Sequence, residues 1–106
     1  MSETGPIAQG PGGGVRVVDG GTVLRFPPHV KFRFDDTRQA WVVLAPEKLL
    51  LPDPTAVEVL RLVDGARDVD AIVDDLAGRF EAPREVISGD VLALLQDLLS
   101  KRILRG

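Results

Sequence analysis

Cysteine and tyrosine are absent from this 106-residue chain, and histidine and tryptophan occur once each, as His29 and Trp41. Without cysteine there is no disulfide, no thiolate metal site and no thiol nucleophile, a composition compatible with a reducing compartment. The serines, at positions 2, 88 and 100, have no neighbouring base to activate a hydroxyl. A catalytic triad is therefore excluded, and no catalytic residue and no cofactor are expected. Long apolar runs are lacking too. No stretch approaches the ~20 residues of a membrane helix, and the start of the chain lacks the basic-then-apolar pattern of a secretion signal. The expectation is a cytoplasmic protein with no membrane partner. Excess positive charge is also missing: the net charge is -3, and lysine and arginine are not clustered. Nucleic-acid binding rests on displacing counterions with clustered cations, so nucleic acid is not expected as a partner.

What is present fits one small domain with a modest core. Residues 1 to 14 hold glycine at 5, 10, 12, 13 and 14 and proline at 6 and 11, with little to bury. Ordering them would cost entropy without return, so residues 1 to 25 are expected as a disordered or linker-like segment and 26 to 106 as the domain. Within the first part, Val15 to Val18, Asp19-Gly20-Gly21 and Thr22 to Phe26 match a hairpin with a glycine-rich turn, or a linker with transient strand. From Val30 the pattern firms. Val30, Phe32 and Phe34 alternate with Lys31, Arg33 and Asp35 as in a half-buried strand, and Asp36-Thr37-Arg38 is the turn. Trp41 to Ala45 reads as a central strand with Trp41 as a core anchor, and Lys48 to Leu51 as a third strand after a turn at Ala45-Pro46-Glu47.

Helix signals follow. Asp53 is an N-cap with Pro54 at the first helical position, and Val57, Leu60, Leu62 and Val63 lead to Asp64-Gly65 as the stop. Asp68 caps a second helix whose stripe is Val69, Ile72, Val73, Leu76 and Phe80. Pro83 opens a third, from Arg84 to about Arg102, with Ser88-Gly89 as a weak point. Its apolar arc is wide: Ile87, Val91, Leu94 and Leu98 form one stripe, and Leu92, Leu95, Leu99 and Ile103 another beside it. Three strands followed by three helices give a winged-helix-like α+β fold, a three-stranded antiparallel sheet followed by a three-helix bundle.

The many aspartates, among them Asp35, Asp36, Asp70, Asp74 and Asp75, lack the loop spacing of a calcium site and read as caps and solvated faces, so no metal is expected. Gly10 to Gly14 is no phosphate loop, because no strand precedes it and no lysine-serine pair follows. The informative feature is the run from Trp41 to Leu51. Its last strand, Lys48 to Leu51, is apolar, short and followed at once by Pro52-Asp53-Pro54, as at a sheet edge with unpaired backbone donors and acceptors. Such an edge can accept another strand. The wide face of the third helix is then either buried by the other helices or part of a groove.

The order of these pieces resembles the PqqD family: the heptapeptide Trp41-Val42-Val43-Leu44-Ala45-Pro46-Glu47, a leucine-rich strand, the helix start Asp53-Pro54-Thr55-Ala56, the stop Val63-Asp64-Gly65, and Val91-Leu92-Ala93-Leu94-Leu95-Gln96-Asp97-Leu98. The resemblance covers about residues 26 to 105. It implies a peptide chaperone of pyrroloquinoline quinone biosynthesis that binds the ribosomally made precursor peptide PqqA and presents it to the radical S-adenosylmethionine enzyme PqqE. It further implies that the peptide adds as a strand along Glu47, Lys48, Leu49, Leu50 and Leu51. The cleft wall it implies comes from Val86, Asp90, Val91, Leu94, Leu95 and Leu98 on the third helix. Such domains are in some cases fused to a neighbouring pathway enzyme, which matches a linker character for residues 1 to 25. Lys48, Arg84, Lys101 and Arg102 are expected to steer acidic positions of the peptide.

Two other classes stand beside this reading. A winged-helix DNA-binding regulator would need basic and amide side chains on its recognition helix, yet the third helix sets Glu85, Asp90 and Asp97 against Arg84, Lys101 and Arg102. A small dimerisation module could use the same wide apolar face.

Overall fold

The structure is a computed structural model that describes residues 17–106. Three strands come first: β1 (Lys31–Asp35), β2 (Ala40–Ala45) and β3 (Lys48–Leu50), in the order β1-β2-β3 and antiparallel throughout. Three helices follow: α1 (Pro54–Leu60), α2 (Val69–Ala77) and α3 (Arg84–Ser100). The α+β architecture and the central place of β2 thus match expectation. Between β1 and β2, the Asp35 carboxylate accepts the backbone N–H of Thr37 and Arg38 at 2.9 and 3.3 Å, and Gln39 takes a left-handed φ of 54° to close the turn.

The helix starts follow their caps. Asp53 accepts the N–H of Ala56 at 2.7 Å and Asp68 that of Ala71 at 2.9 Å. The ends differ from expectation at α1, which stops at Leu60 rather than near Gly65. The chain tightens there into three-residue turns, with Leu62 N–H on Val59 O and Val63 N–H on Leu60 O. Gly65 does adopt φ +79°, but it closes the loop to α2, its N–H donating to Leu24 O at 3.2 Å.

The core lies between the helix-facing side of the sheet and the three helices. Val43 contributes from the sheet, Leu60 from α1, Val73 and Leu76 from α2, and Val91 and Leu95 from α3. No polar or charged side chain among the described residues is buried.

Three expectations need correction. The hairpin proposed for 15 to 26 is not formed in its described part: the turn at Asp19 is present, but the arms pair elsewhere. Val23 bridges Asp68 at the start of α2 and Arg25 bridges Arg105, while Val18 N–H reaches the Gln96 side chain at 2.8 Å. Val18 and Leu24 are both in the core, so residues 18 to 25 are a packed strap rather than linker; the expectations for residues 1 to 16 lie outside the described residues. Trp41 is half-buried and not a member of the core cluster. Its partner strand on that side ends with the Val43–Leu50 pair, leaving the face open, and the aromatics cover one another. Trp41 stacks on Phe32 at 4.8 Å, meets Phe34 edge-on at 5.9 Å and carries the Arg61 guanidinium 5.6 Å above its ring. Finally, Phe80 falls beyond the end of α2 and is exposed.

Candidate functional site

β3 is an edge strand, because among the described residues β2 is its only neighbour in the sheet. Its register decides which backbone groups are free. Ala45 pairs with Lys48 across the two-residue turn Pro46-Glu47, and a pair closing so short a turn exchanges its hydrogen bonds. Hydrogen-bonded and non-hydrogen-bonded pairs alternate, so Leu44–Leu49 is non-bonded and Val43–Leu50 bonded. The N–H and C=O of Leu49 therefore point away from β2, out of the open edge. The side chains divide the other way. Lys48 and Leu50 share the helix side with Ala45 and Val43, whereas Leu49 lies on the opposite face with Leu44.

Past the end of β3 the chain reaches an apolar groove of about 360 Å³, walled by Thr55, Ala56 and Val59 of α1, Leu76 and Phe80 of and after α2, and Ile87, Asp90, Val91 and Leu94 of α3, with Asp53, three residues beyond β3, at its lip. A second recess, of about 280 Å³, lies where β3 begins: His29, Pro46, Glu47 and Lys48 face Lys101, Arg102 and Ile103. Together these fix the course of the chain. The start of β3 lies beside the end of α3, and the residues after β3 lie beside its first half, so this segment runs antiparallel to α3. One end is basic, at Lys48, Lys101 and Arg102; the other carries Asp53 and Asp90. Large apolar side chains are exposed on β3, just after it, just after α2 and on α3: Leu49, Leu51, Phe80 and Val86 are 39%, 62%, 40% and 52% exposed.

The structure brings together only part of the expected residue set. Asp90, Val91 and Leu94 line the groove. Val86 is exposed on α3 one turn before Asp90 but outside the lining, and Leu95 and Leu98 are buried in the core, where α2 packs on α3. Arg84 is tied to Asp74 on α2, away from the groove, so its expected steering role has no support; Lys101 pairs with Asp97 at 3.0 Å. The walls given by Thr55, Ala56, Val59, Leu76 and Phe80 were not anticipated. Phe80 alone carried a signal, as a large apolar residue placed after the last polar turn of α2. Among the described residues there is no group of three or more His, Cys, Asp or Glu able to hold a metal, and no helix long and apolar enough to cross a membrane.

The sequence profile of the family described as Coenzyme PQQ synthesis protein D (PqqD) matches residues 40–104, which include β2, β3 and all three helices. The chain belongs to the PqqD family. The protein named PqqA binding protein from Rhodopseudomonas palustris (strain BisB5) is 58% identical over 78 residues, covering 74% of this chain and 76% of that protein. The bifunctional coenzyme PQQ synthesis protein C/D of Methylorubrum extorquens is 41% identical over 85 residues, covering 80% of this chain but 23% of that protein. The solution structure of the PqqD truncation of Methylobacterium extorquens PqqCD superposes with a TM-score of 0.71 at 39% identity, covering 84% of this chain and 95% of that one. That truncation is described as a functional, stand-alone recognition element for ribosomally synthesized, post-translationally modified peptides.

Proposed function

We propose that this chain is a PqqD-type peptide chaperone: it binds the precursor peptide PqqA as an added strand on β3 and presents it to the radical S-adenosylmethionine enzyme PqqE. The observation that carries the reading is the free edge of β3, with the main-chain groups of Leu49 directed outward, in a member of this family whose chain passes from that strand to an apolar groove at Asp53. Strand addition takes affinity from main-chain hydrogen bonds and selectivity from side-chain pockets, so recognition needs no catalytic residue. Asp90, Val91, Leu94, Phe80 and the α1 start supply the pocket for side chains that point from the added strand toward the helices. Val86 of α3 and Leu51 after β3 are further exposed apolar side chains on the same elements. Ordering a flexible peptide offsets part of the contact energy, which keeps affinity moderate and permits transfer to an enzyme.

The test is a titration of the ¹⁵N-labelled chain with synthetic PqqA of Rhodopseudomonas palustris. Shifts grouped on residues 47 to 52 and on Asp90, Val91 and Leu94 are expected. No binding at tens of micromolar, or shifts confined to β1 and the aromatic group around Trp41, would overturn the assignment. Presentation is tested separately, by the rate at which PqqE modifies the peptide with and without the chain; an unchanged rate would refute that half.

A further inference from the structure

Arg102 is the one non-glycine residue besides Gln39 with a positive φ among the described residues, at 62°. It sits just past α3, where Ile103 N–H returns to Leu98 O at 2.9 Å and its own N–H to Leu99 O at 3.0 Å, the closing pattern in which glycine is the commonest residue because a Cβ is disfavoured there. The left-handed arginine lines the recess at the start of β3. Lys48 lines the same recess from the sheet, together with Lys101 and His29; Glu47 is the one carboxylate in the lining. Cations near a helix C-terminus are favoured by its dipole, and Lys101 serves that purpose while paired with Asp97. Neither argument accounts for Lys48, which belongs to the edge strand. Among the described residues, Lys48 and Arg102 form no ion pair.

We propose that this recess is a subsite for an acidic side chain of the bound peptide, with Lys48 and Arg102 as its two ligands. The inference rests on the proposed strand addition and adds polarity to it. Lys48 shares the helix-facing side of β3 with Leu50. A peptide side chain across the sheet from Lys48 on that face is led into the recess, while positions farther along pass over the apolar groove toward Asp53 and Asp90. An acidic residue at the other end would meet those carboxylates, so the charge arrangement admits one register and disfavours its reverse. A local backbone cost at Arg102 is retained for the sake of a side chain that binding uses.

The experiment is a calorimetric titration of Rhodopseudomonas palustris PqqA into the wild-type chain, Arg102→Gly and Lys48→Gln, each at low and high salt. It is repeated with the peptide's Asp and Glu residues changed one at a time to the amide. Arg102→Gly should raise the melting temperature by about 4 °C or more, since the glycine relieves the left-handed strain, and yet weaken binding about 2- to 5-fold, as for an exposed charge pair. Lys48→Gln should weaken it comparably, and both losses should shrink at high salt. One acidic replacement in the peptide should weaken binding to the wild-type chain and add nothing further in Arg102→Gly. If wild-type chain binds the peptide but Arg102→Gly and Lys48→Gln bind equally well, or no acidic position couples to Arg102, the subsite is refuted and strand addition stands. If the wild-type chain binds no peptide, the proposed function itself fails first.

Discussion

Replacing Leu49 with proline isolates the backbone donor on which strand addition depends. In the observed register the Leu49 N–H is directed out of the sheet, so proline removes no ladder bond, and the extended backbone before it is what proline already favours. The loss to the fold is the side-chain pairing with Leu44, about 0.2–1 kcal/mol. The loss to the complex is larger. One main-chain hydrogen bond disappears, about 1 kcal/mol net, and the peptide carbonyl it served is left without a donor, a further ~1–3 kcal/mol if desolvated. Binding should therefore weaken by roughly 10-fold to several hundred-fold relative to Leu49→Ala, which lacks the side chain but keeps the donor. The neighbouring substitution is the internal control: the Leu50 N–H is committed to Val43, and Leu50 packs against the core, so Leu50→Pro should destabilise the domain by about 3 kcal/mol or more. Calorimetric titration with PqqA and urea unfolding of each variant provide both numbers. Equal affinity for Leu49→Pro and Leu49→Ala would refute use of this amide. A reversed order of stabilities, with Leu50→Pro folding well and Leu49→Pro not, would refute the register.

Other consequences are simpler to measure. Leu95, fully buried, should lose about 2–5 kcal/mol of stability on change to Ala, whereas Leu94→Ala at the groove should mainly weaken peptide binding; chemical unfolding with a parallel titration separates the two, and comparable stability losses would contradict the division. Gly89 lies inside α3, and a Cβ there meets nothing within 4 Å, so Gly89→Ala should stabilise by about 0.5–1 kcal/mol with peptide affinity unchanged; a lower melting temperature would be contrary. The Asp64 carboxyl accepts the N–H groups of Arg67 and Ala66, which hold it below its ordinary 3.8. Its folded form therefore binds protons less readily than the unfolded chain, so its contribution is full above pH 3.8 and lost as pH falls below that. Asp64→Ala should be less stable than wild type at pH 7 and converge on it in acid, and a gap that stays constant down to pH 2 would be inconsistent with that linkage.

Local rules found the skeleton of this fold. Alternation located β1, and proline and aspartate placed the starts of α1, α2 and α3, because these signals are carried by residues within a turn or two of each other. The brevity of β3 and the proline after it were enough to foresee an edge. What escaped was non-local. The segment from Val18 to Phe26 has the composition of a hairpin, but its hydrogen-bond partners are Asp68 and Arg105, and nothing in its own pattern names them. Trp41 was expected inside because it sits among valines, yet whether a strand face is covered depends on how far the neighbouring strand extends. The site was legible in the same proportion. The edge came from sequence, Asp90, Val91 and Leu94 came from resemblance and lie in the groove, while Leu95 and Leu98 came from the same source and are in the core. Two adjacent stripes on α3 have equal apolar content, and the buried residues come from both, Ile87, Val91 and Leu98 from one and Leu95 from the other, a division that only tertiary packing decides. The α1 wall was invisible for the same reason, since a small residue at a helix start carries meaning only through what faces it; Arg102 was expected as a steering cation, but its left-handed backbone was not foreseen.

The most direct test of strand addition is the hydrogen-exchange rate of the Leu49 amide, measured in the free chain and with saturating PqqA. The account predicts fast exchange when free, because the donor faces solvent at an open edge, and at least ~10-fold slowing when the peptide is bound, with the Leu50 amide already slow in both states. Saturating peptide with no change at Leu49 would contradict it.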